Sequence, residues 1–138
     1  MSKLKLYYDL MSQPSRALYM FVKLNRIPFE DKAVALRSGE HKQEAFTKIN
    51  PVQLVPVIDD GGFVLTERHY LCNRYDLPEH WYPRKDIKAQ AKVNEYLNWQ
   101  HANTRMNCAM VFRHLTMPSR TCSDISSVVC CIMGSLAE

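Results

Sequence analysis

The chain has 138 residues, a formal net charge of +4, and 46% apolar against 23% charged residues. This length suits a single domain that buries a modest core without disulfide or metal staples, and the composition excludes a disordered or fibrous protein. Because the excess positive charge is mild and scattered along the chain, we expect no nucleic-acid partner.

The N-terminal part of the chain predicts a strand, a helix and a second strand. The run LKLYY alternates apolar and polar positions, which is typical of a strand, and apolar residues recur at helical spacing from Pro14 to Leu24. After a break at NRIP, the run FEDKAVAL is the second strand candidate. A strand–helix–strand order favours parallel pairing of the two strands.

The middle of the chain predicts a short helix, a hairpin and a third helix. A polar loop, RSGEHKQEAFTKIN, opens a helix that stops at Asn50-Pro51. The run LVPVIDDGGFVLTE holds two apolar segments joined by Asp-Gly-Gly, which predicts two antiparallel strands. Thr66 or Glu67 opens the third helix, which continues through HYLCNRY until the Pro- and aromatic-rich DLPEHWYPR.

The last predicted element is a long helix from Asp86 to Met117, which Pro118 stops. The element order predicts an α/β fold. A thioredoxin-like N-terminal domain, built on a mixed four-stranded sheet with helices, occupies residues 1–76. A linker follows at 77–85, then the first helix of an all-α domain at 86–118, and then an atypical, poorly ordered tail at 119–138.

Targeting and redox features indicate a cytoplasmic protein without a membrane segment. The N-terminal MSKLKLYYDL lacks a long apolar core and a small-residue cleavage site, and no apolar stretch reaches membrane-spanning length. The 5 cysteines are odd in number and include no Cys-x-x-Cys, so we expect reduced thiols. His69 and Cys72 have a metal-like spacing, but without a second pair we expect no metal.

Long, ordered motifs resemble the cytosolic glutathione transferases, and among them the theta class. The matching stretches are LYYDLMSQPSRALYMF, GEHKQEAFTKINPVQLVPVIDDGGFVLTE, DLPEHWYPRKDIKAQAKVNEYLNWQH and NTRMNCAM. The resemblance implies conjugation of reduced glutathione to electrophilic small molecules. It also implies that glutathione is a co-substrate, that no other cofactor is needed, and that the folded protein is a homodimer.

Ser12 is the candidate catalytic residue. It follows the first strand and precedes Pro14, which suits a first helical turn, so helix N–H groups and the helix dipole favour an anion there. The spacing alone leaves open that Ser12 only caps the helix. The resemblance implies that its hydroxyl donates to the glutathione sulfur. Ser15 is the alternative donor, and Tyr7 and Tyr8 are less suited because they lie within the strand.

The resemblance also assigns glutathione contacts. It implies a cis peptide bond at Pro56 and backbone pairing between Val55 and the cysteinyl part of glutathione. His41 and Lys42 match contacts to the glycine carboxylate, although a solvated loop is the better explanation from the residues alone. Glu67 matches the acid that faces the γ-glutamyl amine, and its local alternative is a helix first-turn acid favoured by the dipole.

Three glutathione-site positions need separate comment. Arg68 stands where the family has a serine that holds the γ-glutamyl carboxylate, so it either pairs with that carboxylate or blocks the pocket. Leu54 stands where relatives often carry lysine, which removes a cation. Arg105 matches a helical arginine near the active site, and an exposed helix charge is its alternative. The third helix is also about one turn shorter than the family pattern.

The match to the family stops near Pro118, and the resemblance therefore implies a C-terminally truncated or aberrant form. One reading is an active transferase. The other is a catalytically impaired glutathione-binding or non-functional isoform that acts only by pairing with intact subunits. Both remain open at the level of sequence, because the residues that would select the electrophile fall mostly outside the matching stretches.

Overall fold

The structure is a computed structural model that describes residues 3–116, with side chains described as far as residue 111. The chain divides into two compact units, 1–81 and 82–138, and each is described by itself. The stop expected at Pro118 and the tail expected at 119–138 lie outside the described residues.

The first unit is the predicted α/β domain, with a mixed four-stranded sheet in the order β2-β1-β3-β4. β1 and β2 are parallel, whereas β3 is antiparallel to both β1 and β4. The elements are β1 (Leu4–Tyr8), α1 (Gln13–Leu24), β2 (Phe29–Ala33), a 3₁₀ turn (Glu40–Lys42), α2 (Glu44–Thr47), β3 (Val57–Asp60), β4 (Phe63–Leu65) and α3 (His69–Arg74).

The core lies on the two inner strands. Leu4 and Leu6 of β1 and Val57 and Ile58 of β3 are each no more than 1% exposed, because these strands have a neighbour on both sides. Helix α1 packs one face inward, as the apolar spacing of the sequence predicts. The buried residues of that face are Ser15, Leu18, Phe21 and Val22.

Helix α3 begins later than the sequence predicts. It starts at His69 rather than at Thr66 or Glu67, and the residue before it, Arg68, makes no side-chain capping bond. The helix is instead tied to the end of β3. The Tyr70 hydroxyl donates to Asp60 at 2.6 Å, and Arg74 Nε donates to the same carboxylate oxygen at 3.0 Å.

The two edge strands of the sheet have different surfaces. β2 carries three consecutive charged residues, two acids and then a lysine, and its Lys32 Nζ lies 2.6 Å from Glu30 Oε1. β4 has only 3 residues, and its Phe63 and Val64 are 57% and 38% exposed. The positive φ angles of Gly61 and Gly62, 64° and 97°, form the turn that leads into β4.

The second unit is helical throughout its later described part. It comprises α4 (Ile87–Gln100), a π-helical segment (His101–Arg105) and α5 (Met106–Thr116). Asp86 caps α4, because its side chain accepts hydrogen bonds from the N–H groups of Lys88 and Ala89. The sequence predicts one uninterrupted helix here and misses the π-helical segment. Within the described residues, no helix combines the length and apolarity needed to cross a membrane.

Candidate functional site

Most of the predicted site segments lie where the ends of the strands meet, at a side of the sheet that we call the sheet edge. In the strand register, Tyr8 pairs with Ala33, Tyr7 with Val57, and Ile58 with Leu65. The carboxyl ends of β1, β2 and β4 therefore meet the amino end of β3. The segments that adjoin this edge contain Ser12 after β1, His41 and Lys42 after β2, Leu54, Val55 and Pro56 before β3, and Glu67 and Arg68 after β4.

Ser12 is the first residue of this site, at the start of α1. Its backbone occupies the N-cap position, with φ −77° and ψ 120°, and its carbonyl accepts from Arg16 N–H at 3.0 Å. However, its half-buried side chain makes no capping hydrogen bond. The serine is thus a cap by backbone geometry only, and its hydroxyl is available at a helix terminus that favours anions.

The competing donors are less suitable for a ligand at this edge. The Ser15 side chain is 0% exposed, and its Oγ has no hydrogen-bond partner within the described part of the chain. The Tyr8 hydroxyl donates to Asp31 at 3.1 Å, and burial, together with that carboxylate, raises the pKa of Tyr8 to about 12. Tyr7 packs edge-on against Phe46, with ring centroids 6.1 Å apart.

The loop that carries Ser12 is held by hydrogen bonds from residues that the sequence analysis did not single out. Asp9 Oδ1 accepts from Met11 N–H at 2.8 Å, and Oδ2 accepts from Leu36 N–H at 2.9 Å. Arg16 Nη1 donates to the carbonyls of Leu10 and Met11, at 2.8 and 3.2 Å. The local contact of Asp9 is of the kind that an aspartate in a turn makes with backbone N–H groups nearby.

His41 and Lys42 lie in the 3₁₀ turn after β2. Glu40 fastens this turn to the strand end, because Glu40 Oε2 accepts from Ala35 N–H at 2.7 Å. Lys42 is exposed, and His41 is half-buried. The buried Nδ1 of His41 has no hydrogen-bond partner among residues that the structure describes. A buried ring nitrogen of this kind carries a desolvation cost of about 1–3 kcal/mol and often marks a functional position.

Val55 and Pro56 form the central part of the edge. Their peptide bond is cis, as the family resemblance predicts. Val55 is 8% exposed, and neither its N–H nor its C=O is hydrogen-bonded within the described part of the chain. The side chain of Leu54 is exposed, while its carbonyl accepts from Asn50 Nδ2 at 2.9 Å. Asn50, which the sequence analysis took only as a helix end, thus fixes the approach to Val55.

Glu67 and Arg68 are both exposed at the end of β4. Glu67 Oε2 lies 3.7 Å from Nδ1 of His69. Burial lowers the pKa of His69, the positive charge of Arg68 lowers it further, and Glu67 opposes both. Because an ordinary histidine already titrates near 6.5, we expect His69 to be neutral at pH 7 and the Glu67 carboxylate to lack a cationic histidine partner.

Arg105 belongs to the second unit and lies in the π-helical segment. Its Nη1 is 2.9 Å from Nδ1 of His101, one turn earlier in the helix.

The site at the sheet edge is formed by residues of the first unit. It offers the Ser12 hydroxyl at a helix N-terminus, the N–H and C=O of Val55, the candidate cations Lys42 and Arg68, and the Glu67 carboxylate. Such a set suits an extended, peptide-like ligand that carries anionic groups and an amine.

Comparison with known families and proteins gives a consistent result. The family described as "Glutathione S-transferase, N-terminal domain" matches residues 2–69. Glutathione S-transferase theta-1 from Bos taurus is 51% identical over 118 residues, which are 83% of this chain and 49% of that protein. The Homo sapiens theta-1 protein is 47% identical over the same shares of the two chains. This chain thus spans about half the length of the curated relatives it matches.

Solved structures agree with the sequence relatives. Human glutathione-S-transferase T1-1 in its apo form matches with a TM-score of 0.89 and 39% identity, over 97% of this chain and 60% of that chain. A human theta-class glutathione transferase, in complex with the glutathione conjugate of 1-menaphthyl sulfate, matches with a TM-score of 0.87. That match has 34% identity and covers 99% of this chain and 59% of the other.

Proposed function

Because the chain belongs to the glutathione transferase family and its relatives are theta-class proteins, we propose that it binds reduced glutathione at the sheet edge and conjugates it to electrophilic small molecules. The observation that carries this proposal is Ser12, which occupies the N-cap of α1 without using its hydroxyl as a cap. The proposed partners are glutathione, an electrophile and a second copy of the chain. The proposed location is the cytoplasm, and glutathione is the only co-substrate, with no further cofactor.

The proposed role of Ser12 is to stabilise the glutathione thiolate. A free thiol titrates near 8.5 and is a poor nucleophile while protonated. Lowering that pKa by about two units requires about 2.7 kcal/mol of selective thiolate stabilisation. One hydroxyl donor and the N-terminus of α1 together supply energies of this size. The thiol proton is released to solvent, and the thiolate attacks the electrophilic carbon. Its electron pair forms the carbon–sulfur bond while the bond from that carbon to the leaving group breaks, and the leaving group departs with those electrons.

The other contacts position the tripeptide along the edge. The unpaired N–H and C=O of Val55 support strand-like pairing with the cysteinyl residue, beside Pro56 and Leu54. His41 and Lys42 are the proposed donors to the glycine carboxylate. Glu67 is the proposed partner of the γ-glutamyl amine. Arg68, which replaces the serine of the family, takes the γ-glutamyl carboxylate. The role of Arg105 stays a prediction of the family resemblance.

A second candidate function is glutathione binding with little turnover. Two observations favour it: an exposed arginine at position 68 in place of a short hydroxyl, and the absence of any buried residue in α4. In that case the chain is a catalytically impaired or non-functional isoform that acts by pairing with intact subunits.

One experiment separates the two candidates. The 138-residue chain is unfolded thermally with and without glutathione and is then assayed with a model electrophile. Binding at a hundredfold excess over Kd raises stability by about 2.7 kcal/mol. We expect Ser12→Ala to keep this shift and lose most turnover, because the thiol is no longer ionised. Ser38→Ala, which removes an exposed hydroxyl bonded to Ala35, is the matched control and should keep both.

The outcomes are distinct. A glutathione shift without turnover in the unaltered chain supports the binding-only candidate. A chain whose transition ignores glutathione contradicts glutathione binding by this chain and leaves only the non-functional isoform. Turnover that survives intact in Ser12→Ala contradicts the role given to Ser12.

A further inference from the structure

We infer that Asp9 is a positioning residue that fixes the Ser12 loop and joins it to the segment leading to His41 and Lys42. This inference rests on the proposed function, because it matters to the chemistry only if Ser12 stabilises the thiolate. The Asp9 carboxylate accepts from a backbone N–H group of the Ser12 loop and from another in the segment after β2.

In the short loop between β1 and α1, both the side chain and the backbone of Asp9 accept hydrogen bonds. Oδ1 accepts from Met11 N–H at 2.8 Å, and the Asp9 carbonyl accepts from Ser12 N–H at 2.9 Å. Asp9 therefore holds the backbone N–H groups of both Met11 and Ser12, directly before the Ser12 side chain.

Asp9 also bonds to the segment that follows β2. The β1–β2 pairing continues past the strand end, because Val34 N–H donates to the Tyr8 carbonyl at 2.8 Å. The carboxylate of Asp9 then adds a further bond in the same direction, from Leu36 N–H to Oδ2 at 2.9 Å. Leu36 in turn opens the tight turn before the 3₁₀ segment, since its carbonyl accepts from Gly39 N–H at 3.1 Å. Asp9 thus links the two proposed binding loops.

Packing does not hold the Ser12 loop in place. The side chains between Asp9 and Ser12 are Leu10 and Met11, which are 51% and 42% exposed. The remaining fixed groups of the loop are the carbonyls of these two residues, and both accept from Arg16 Nη1. Hydrogen bonds accepted by Asp9 and donated by Arg16 therefore hold the backbone of the loop that carries Ser12. A misplacement of about 1 Å at a reacting group can reduce rate by about a hundredfold, so this control is consequential.

The test is the pKa of the glutathione thiol bound to the full chain, read from the ultraviolet absorbance of the thiolate during a pH titration. Asp9→Asn keeps the size of the side chain but presents an NH₂ group to one of the two backbone N–H donors. We expect it to raise the thiol pKa by about one unit, which is about a tenfold loss of thiolate at a fixed pH below that pKa.

Asp59→Asn is the matched control. Asp59 also accepts from a backbone N–H, that of Gly62 at 2.7 Å, and from Lys5 at 3.2 Å, but at the opposite edge of the sheet. We expect Asp59→Asn to leave the bound thiol pKa unchanged. The double variant Ser12→Ala/Asp9→Asn should match Ser12→Ala alone, because Asp9 acts through Ser12 and the two effects are not additive.

Each contrary result has a specific meaning. An unchanged pKa in Asp9→Asn, an equal shift in Asp59→Asn, or an undiminished shift in the Ser12→Ala background overturns the inference and leaves the role of Ser12 intact. An unchanged thiol pKa in Ser12→Ala itself overturns the proposed role of Ser12, and the inference with it. Should Asp9→Asn fail to fold, Asp9→Ser decides. A serine hydroxyl cannot accept from both backbone N–H groups that Asp9 joins, and an unchanged thiol pKa there overturns the inference.

Discussion

In the first unit, several side-chain hydrogen bonds join strands and helices that lie far apart in the sequence, whereas several of those in the second unit join near neighbours. In the first unit, Lys5 meets Asp59 at 3.2 Å and Tyr70 meets Asp60 at 2.6 Å. In the second unit, Lys92 meets Glu95 at 2.7 Å, three residues on, and Asn103 Nδ2 donates to the Trp99 carbonyl one turn back.

This difference teaches where a binding site can be built. Helix α4 has no buried residue, and the side-chain contacts that support it are its Asp86 cap, the short-range pair of Lys92 and Glu95, and the hydrogen bond that Asn94 accepts from Tyr82. Isolated helices of that length are marginal in water. The sheet, by contrast, brings four separate segments to one edge only when its long-range pairing is complete. The proposed glutathione site therefore depends on the cooperative unit and not on the local one.

The largest expected effect comes from the centre of the sheet. Leu6 is 0% exposed and pairs with both Asp31 and Ile58. Leu6→Ala should lower the free energy of unfolding by about 2–5 kcal/mol, because it leaves a cavity in the core. Ile87→Ala in α4, where the side chain is 78% exposed, should change it by no more than about 0.5 kcal/mol. Urea denaturation measures both, and equal losses would contradict the contrast between the units.

A smaller effect concerns pH and the tie between β3 and α3. The hydrogen bond from Tyr70, followed by that from Arg74, lowers the pKa of Asp60 despite its burial. A carboxyl whose folded pKa is lowered contributes stability that is complete above the ordinary carboxyl pKa and is lost as pH falls through the lowered value. Asp60→Asn should therefore flatten this part of the acid-unfolding curve.

The control for this pH prediction is Glu44→Gln. Glu44 forms an exposed pair with Lys48 on α2, with 83% of its side chain accessible. Its removal should leave the acid limb of the stability curve as it is, because exposed pairs contribute little. An acid limb that is identical in the unaltered chain and in Asp60→Asn would show that this carboxylate does not govern the attachment of α3.

The smallest effect is confined to the second unit. Asp86→Ala removes the carboxylate that accepts hydrogen bonds from the N–H groups of Lys88 and Ala89. This loss should lower the stability of α4 by about 1 kcal/mol. Asp86→Ser keeps an acceptor and should recover most of this loss. Amide hydrogen exchange measures the change residue by residue. Faster exchange in β1 and β3 as well would show that the two units are energetically coupled.

The sequence was informative wherever the determining pattern is local. The alternation of LKLYY, the helical spacing after Pro14 and the Asp-Gly-Gly turn predict β1, α1 and the β3–β4 hairpin, all of which the structure contains. The mixed sheet follows from the order of these elements, and the family comparisons agree with it.

The sequence was silent wherever a contact joins remote residues. The bond between Asp9 and Leu36 spans 27 positions, and no spacing rule indicates it. Helix α3 starts late, and its Tyr70 and Arg74 bond to Asp60, which lies in another element. The π-helical segment interrupts the α-helical hydrogen-bond pattern, whereas the apolar spacing of the sequence predicts that this pattern continues. For the same reason, motif matching proposes Ser12 but does not identify the residues that hold its loop.

The two outer strands of the sheet, β2 and β4, have different surfaces, and this difference has a consequence for how the domain meets other chains. An open strand edge is a template onto which a foreign strand can add. At β2 the run of three charged residues opposes such growth, whereas at β4 the apolar surface of Phe63 and Val64 invites it. There the protection is brevity, because a strand of 3 residues offers too few free peptide groups to template a stable addition. Lateral polymerisation is thus blocked by charge on one side and by length on the other.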